Sequence, residues 1–123
     1  MNNWKMIEGY KYPYRINEDA VVEELQDNGE WQTVRPFTKQ DGRRAPRLCV
    51  TMVNKANRPA LVPVKRLMVN AFLGGSHEGV SYGYKNGFHG DCSLRNLYRY
   101  DADDYREQRK AYRKYMENKE AMK

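Results

Sequence analysis

At 123 residues, with 22 Lys plus Arg against 16 Asp plus Glu and a net charge of +6, the chain is one ordinary domain that can bury a core without staples. Its two cysteines, Cys49 and Cys92, make no disulfide framework and read as cytosolic thiols. No apolar run approaches membrane-spanning length, and the opening MNNWKMIEGY lacks the apolar segment of a signal peptide, so the expectation is a cytoplasmic protein with no membrane partner.

The charge is unevenly spread. Residues 1–30 carry three bases against seven acids, a net of −4, whereas residues 31–100 carry twelve bases against three acids, a net of +9. A concentrated basic zone in a chain with ten tyrosines favours a polyanionic partner, although charge alone also suits a soluble domain with a charged surface.

In chain order, Trp4, Met6, Ile7 and Tyr10 make an aromatic–aliphatic patch expected to anchor the terminus to the core. Tyr12 to Ile16 reads as a short extended segment, with Pro13 biasing its neighbour away from helix, and Asn17-Glu18-Asp19 reads as a turn. Val21 to Leu25 and Trp31 to Val34 look like paired strands joined through Asn28-Gly29, both of which tolerate positive φ. Arg35-Pro36-Phe37 leaves that hairpin, and Lys39 to Pro46 is a polar, basic loop. Arg47 to Asn54 then alternates, with Leu48, Val50 and Met52 on one face and Cys49, Thr51 and Val53 on the other. Ala60 to Val64 follows the turn Asn57-Arg58-Pro59 as the second arm of another hairpin.

Residues 62–100 are the stretch around which the chain is organised. Val64, Leu67, Met68, Ala71 and Phe72 recur at i, i+3, i+4, i+7 and i+8, one face of a short helix. Pro63 suits its first turn, and Gly74-Gly75 supplies the stop. The segment with Gly74, Gly75, Gly79, Gly83, Gly87 and Gly90 is too glycine-rich to predict regular structure over its length. It resolves into Ser93-Leu94-Arg95-Asn96-Leu97, which looks like a capped helical turn. From Asp101 onward no Gly or Pro interrupts a charged helix with acids in its first turn. Its thin apolar stripe comprises Tyr105, Ala111, Tyr112, Tyr115 and Met116. Its row of Arg106, Arg109, Lys110, Arg113 and Lys114 suits a solvated face, phosphate or an acidic protein.

These residues resemble a family. Trp4-Lys5-Met6-Ile7-Glu8-Gly9-Tyr10 with Tyr14-Arg15-Ile16-Asn17 is similar to the N-terminal module attached to phage HNH homing endonucleases, and Val64 to Leu73, Tyr84-Lys85-Asn86-Gly87 and Asn96-Leu97-Tyr98 resemble successive motifs of those enzymes. The order and spacing of these matches, over about residues 4–100, carry the resemblance. The elements read above predict an α+β fold: two antiparallel β-hairpins with a packed short helix and a C-terminal helix. The resemblance implies that hairpin and short helix form an HNH-like ββα unit. Residues 1–100 form the domain, divided into an N-terminal module (1–37) and a degenerate ββα part (38–100), with 101–123 as the charged helix.

The resemblance also implies catalytic imidazoles and a carboxylate at three positions held here by Lys65, Tyr84 and Asn86. A protonated lysine on an exposed helix start cannot take a proton at neutral pH unless burial strongly lowers its pKa. A one-metal nuclease needs a base and a cage for a divalent ion. The expectation is therefore a scaffold without the enzyme's chemistry: no catalytic residue, no cofactor and no metal. His77, His89, Asp91 and Cys92 lie in one loop but match no zinc-binding spacing. His89 beside Asp91, with Asn96, is the remaining route to a divergent nickase.

Two binding functions fit, of which the first is the expectation and the second its alternative. A catalytically inactive HNH-like phage protein would inhibit a host defence nuclease, such as a CRISPR effector, in the host cytoplasm. It would dock through the acidic edge Glu18, Asp19, Glu23, Glu24, Asp27 and Glu30, or compete for nucleic-acid contacts through the basic middle. A DNA-binding module would instead contact phosphates through Arg43, Arg44, Arg47, Lys65, Arg66 and Lys85, with an affinity that falls steeply with salt. Oligomeric state is left open by the sequence.

Overall fold

Residues 5–33 fold into a meander of four short antiparallel strands: β1 (Lys5–Ile7), β2 (Tyr14–Ile16), β3 (Val22–Leu25) and β4 (Trp31–Thr33). The computed structural model describes residues 3–43, 45–75 and 80–121, with the side chains at 102–105, 108, 112, 116 and 119–121 outside the described set. Period-two alternation turns Tyr14 and Ile16 into the core, both fully buried, and leaves Arg15 on the other face. There the Arg15 guanidinium lies 4.2 Å from the ring centroids of both Trp4 and Trp31 and pairs with Glu23 at 2.6 Å. Asn17 makes the β2–β3 turn, its buried Oδ1 accepting from the N–H groups of Asp19 and Val21. In the β3–β4 turn only Gly29 takes positive φ (83°). Asn28 instead accepts from the Glu30 N–H at 2.9 Å, as in a three-residue loop closed by one left-handed glycine.

The second sheet comprises β5 (Phe37–Lys39), β6 (Arg47–Val53) and β7 (Pro59–Pro63). The sequence gives no warning of β5, a three-residue edge strand beside Pro36, because three residues carry no readable alternation. The β6–β7 turn falls earlier than Asn57-Arg58-Pro59: Asn54 Oδ1 accepts from Ala56 and Arg58, Asn57 takes φ 61°, and Pro59 already opens β7. A bridge between Tyr10 and Asn54, and the bond from Lys11 N–H to Val53 O, tie the two sheets together.

Helix α1 (Val64–Phe72) follows β7 directly and buries Val64, Leu67, Met68 and Val69 against β1, β2, β6 and β7. Pro63 is its N-cap rather than part of its first turn. At the other end, Gly74 and Gly75 take φ 83° and 87°, and the Gly75 N–H returns to Val69 O. Only glycine adopts this left-handed pair without strain.

Beyond it, the glycine-rich stretch contains regular structure after all. β8 (Val80–Tyr84) and β9 (Leu97–Asp101) pair as a third antiparallel sheet. Glycine density outweighed a period-two pattern that SYGY and LYRYD do carry: Tyr82 and Leu97 point inward and are nearly fully buried. Between the strands, a single 3₁₀ turn at Leu94–Asn96 stands where the sequence indicates a capped turn, although Ser93 gives it no side-chain cap. Helix α2 (Ala102–Ala121) runs on from β9. The protein is thus mixed α+β, with antiparallel strands in three sheets, and among its described residues no helix is long and apolar enough to cross a membrane.

Candidate nucleic-acid interface

A groove of about 350 Å³ opens where α1 meets the edges of β6 and β8–β9, lined by Arg47, Lys65, Arg66, Ser81, Tyr82 and Tyr100, among others. Each cation arrives by a simple route. Arg47 opens β6, and Lys65 and Arg66 are the second and third residues of α1, presented side by side because that helix turns its Val64–Leu67–Met68 stripe to the core. Arg66 is exposed and has no ion-pair partner among the described residues. Arg47 holds Asp41 at 2.9 Å, but both side chains are about half exposed. Such a surface pair contributes little and can be exchanged for another anion.

Lys65 is not the exposed lysine that its place at a helix start suggests. It is half-buried, its Nζ donates to Tyr82 O at 3.0 Å, and it lies 5.3 Å from the centroid of the Tyr84 ring. Burial lowers its pKa below the usual lysine value, opposed by the nearby Cys92. Tyr84 stacks on His89 with ring centroids 4.5 Å apart. Burial raises the Tyr84 phenol, and the Cys92 thiol raises it further. Burial likewise raises Cys92, against the opposing effects of Tyr84 and Lys65. Lys65, Tyr84, His89 and Cys92 thus form one packed set beside the start of α1.

The loop between β8 and β9 is held from inside by Asn96. Its buried amide donates to Asn86 Oδ1 (3.0 Å) and Asp91 O (2.8 Å), and its Oδ1 accepts from the Asn86 N–H (3.2 Å). Asn86 in turn accepts from the Phe88 N–H, and Asp91 accepts from both the hydroxyl and the N–H of Ser93. Those two bonds hold the Asp91 carboxyl below its ordinary pKa. Every polar atom of Asn86 and Asn96 described above therefore has a structural partner. Among the described residues, no three His, Cys, Asp or Glu side chains converge so as to hold a metal ion.

Of the six basic residues singled out in the sequence, Arg47, Lys65 and Arg66 share the groove. Arg43 sits in an exposed turn and Lys85 in the exposed β8–β9 loop, neither lining it. Arg44 and His77 lie outside the described residues. On the acidic side, Glu18 accepts from Asn3, Asp19 pairs with Arg95 at 2.8 Å, Glu23 pairs with Arg15, and Glu24 accepts from Gln26. Asp27 and Glu30 remain exposed at the β3–β4 tip. Tyr82, Tyr98 and Tyr100 are the residues that reading by charge alone overlooks, although the alternation of β8 and β9 is the signal that finds them. Comparison with protein-family models, curated proteins and solved structures returns no match.

Proposed function

We propose that this protein is a non-catalytic nucleic-acid-binding domain that engages backbone phosphates in the Arg47–Lys65–Arg66 groove. The observation that carries this reading is the convergence of three cations from β6 and α1 beside two tyrosines. Phosphate neutralisation by such groups dominates non-specific affinity, and backbone groups lining the groove add positioning contacts; the Tyr82 hydroxyl is turned to Leu73 O and Gly75 O. The absence of catalysis is inferred from the positions at which a resemblance to HNH nucleases implies imidazole and carboxylate. Lys65 is half-buried with its Nζ donating to a carbonyl, Tyr84 is a half-buried phenol, and Asn86 is committed to its own loop. A general base must take a proton from water, and none of these groups is placed to do so. A β-hairpin running straight into α1 is compatible with a degenerate ββα unit.

Inhibition of a host defence nuclease through the acidic edge has less support, because two of its six carboxylates, Glu23 and Glu24, are part-buried and already partnered. The exposed contacts of Glu18 and Asp19 are as exchangeable as that of Arg47. The deciding experiment is titration of labelled duplex DNA at several salt concentrations, with Mg²⁺ or Mn²⁺, followed by a denaturing gel. Intact DNA, bound with a log–log salt slope near −3 for about three phosphates, is the expected result. Cleaved DNA would overturn the non-catalytic reading and direct attention to His89 and Asn96. Intact, unbound DNA at low salt would overturn the groove as a phosphate site and favour a protein target.

A further inference from the structure

The outward face of the β8–β9 sheet adjoins the groove and has a feature that phosphate binding does not use. Gly83 pairs directly with Tyr98, and Ser81 with Tyr100, so the two tyrosines rise on the face opposite the buried Tyr82 and Leu97. The Tyr98 ring lies down over Gly83: a Cβ there would fall 2.8–2.9 Å from its Cζ, Cε1 and Oη atoms. One side of the ring thus covers glycine backbone. Tyr98 as a whole remains 39% exposed, with its ring resting on the Gly83 backbone from one side. Tyr100, its ring centroid 5.6 Å from that of Tyr98, also lines the cationic groove and so joins the two surfaces.

We infer that the site takes single-stranded nucleic acid, with an unpaired base stacked on Tyr98 while neighbouring phosphates lie in the Arg47–Lys65–Arg66 groove. This rests on reading the groove as a phosphate site. A ring lying flat against a strand beside a cationic groove is the arrangement that holds single strands, because every base has a π-face and stacking is tolerant of sequence. A duplex keeps its bases stacked on each other and has no free face for Tyr98, so it gains only the phosphate contacts. The chemistry is common to DNA and RNA.

The test measures fluorescence anisotropy of labelled dT20, rU20 and a duplex of equal length, in EDTA, at low and physiological salt. Either single strand should bind about ten-fold or more tightly than the duplex. Tyr98→Ala should remove most of that preference, a loss of about ten-fold for the single strands, with duplex affinity changed less than two-fold. Tyr98→Phe, which keeps the ring over Gly83, should restore it. Arg66→Ala should weaken all three ligands alike.

Because Tyr98→Ala uncovers Gly83 and can disturb the sheet, the Tyr98→Trp variant supplies a direct readout. Its fluorescence above the wild-type baseline from Trp4 and Trp31 should be quenched by dT20 and not by duplex. Equal binding of single strand and duplex, or equal loss of both with Tyr98→Ala in a folded protein, would overturn the stacking inference and leave the groove reading standing. Failure of all three ligands to bind at low salt would overturn both.

Discussion

Asn96 shows how one side chain can hold a loop that composition describes as irregular. It is 6% exposed and makes three hydrogen bonds that join residues 86, 91 and 96. Asn96→Ala leaves the Asn86 N–H and the Asp91 carbonyl without this partner, so it should destabilise the fold by about 2–3 kcal/mol. Chemical denaturation measures this, and a loss below about 0.5 kcal/mol would show that the loop is held by other contacts. Lys65 presents the opposite balance. Its ammonium is partly desolvated for one carbonyl bond, and Lys65→Met keeps the aliphatic stem while removing that cost. Stability should stay within about 1 kcal/mol of wild type or rise, while the magnitude of the DNA salt slope falls by about one. A large loss of stability with unchanged binding would assign Lys65 to the fold alone.

At the scale of elements, tight connections carry much of the specification. Gly29 closes the β3–β4 hairpin at φ 83°, and an added Cβ would meet nothing within 4 Å. Gly29→Ala therefore isolates backbone strain from crowding and should cost about 1 kcal/mol, seen as a lower thermal midpoint. Gly83→Ala differs in kind, since its Cβ collides with the Tyr98 ring. It should cost stability and lift that ring from the sheet, changing single-strand binding more than duplex binding. Helix α2 has exposed Arg106, Arg109, Lys110, Arg113 and Lys114, and Tyr115 is 60% exposed, so each of these described side chains faces solvent. Of the thin apolar stripe that its sequence offers, Ala111 and Tyr115 are exposed, and the side chains of Tyr105, Tyr112 and Met116 lie outside the described set.

For the whole molecule, buried titratable groups set the response to alkali. Burial pushes Tyr14 from 10.0 up to about 12 and raises Tyr84 and Cys92 from their ordinary values. Each binds more protons folded than unfolded once the pH passes its unfolded value, near 9 for the thiol and 10 for the phenols. Their contributions are intact below those values and are lost as the pH rises towards the folded ones. Lys65 works the other way, binding fewer protons folded than unfolded until about 10.5. Three groups oppose one, so the thermal midpoint should fall steeply between about pH 9 and 11. Tyr14→Phe should flatten that fall while lowering stability at pH 7, since the Val53 N–H loses its acceptor. A flat profile up to pH 11 would contradict this account.

What the sequence determines by itself is what depends on neighbours along the chain. The 3.6-residue period of Val64–Phe72, the alternation of Arg47–Val53, the β3–β4 hairpin and the uninterrupted C-terminal helix are all legible, because periodicity and turn chemistry are local. The basic middle is legible as a charge imbalance. Only the tertiary structure decides which cations meet: Arg47, Lys65 and Arg66 converge because β6 pairs with β7 and β7 runs into α1, while Arg43 and Lys85 are carried elsewhere on loops. It also decides that Lys65 is half-buried and that Tyr98 lies on Gly83. Both depend on cross-strand register and packing between residues 15–19 positions apart, and no local pattern encodes that distance.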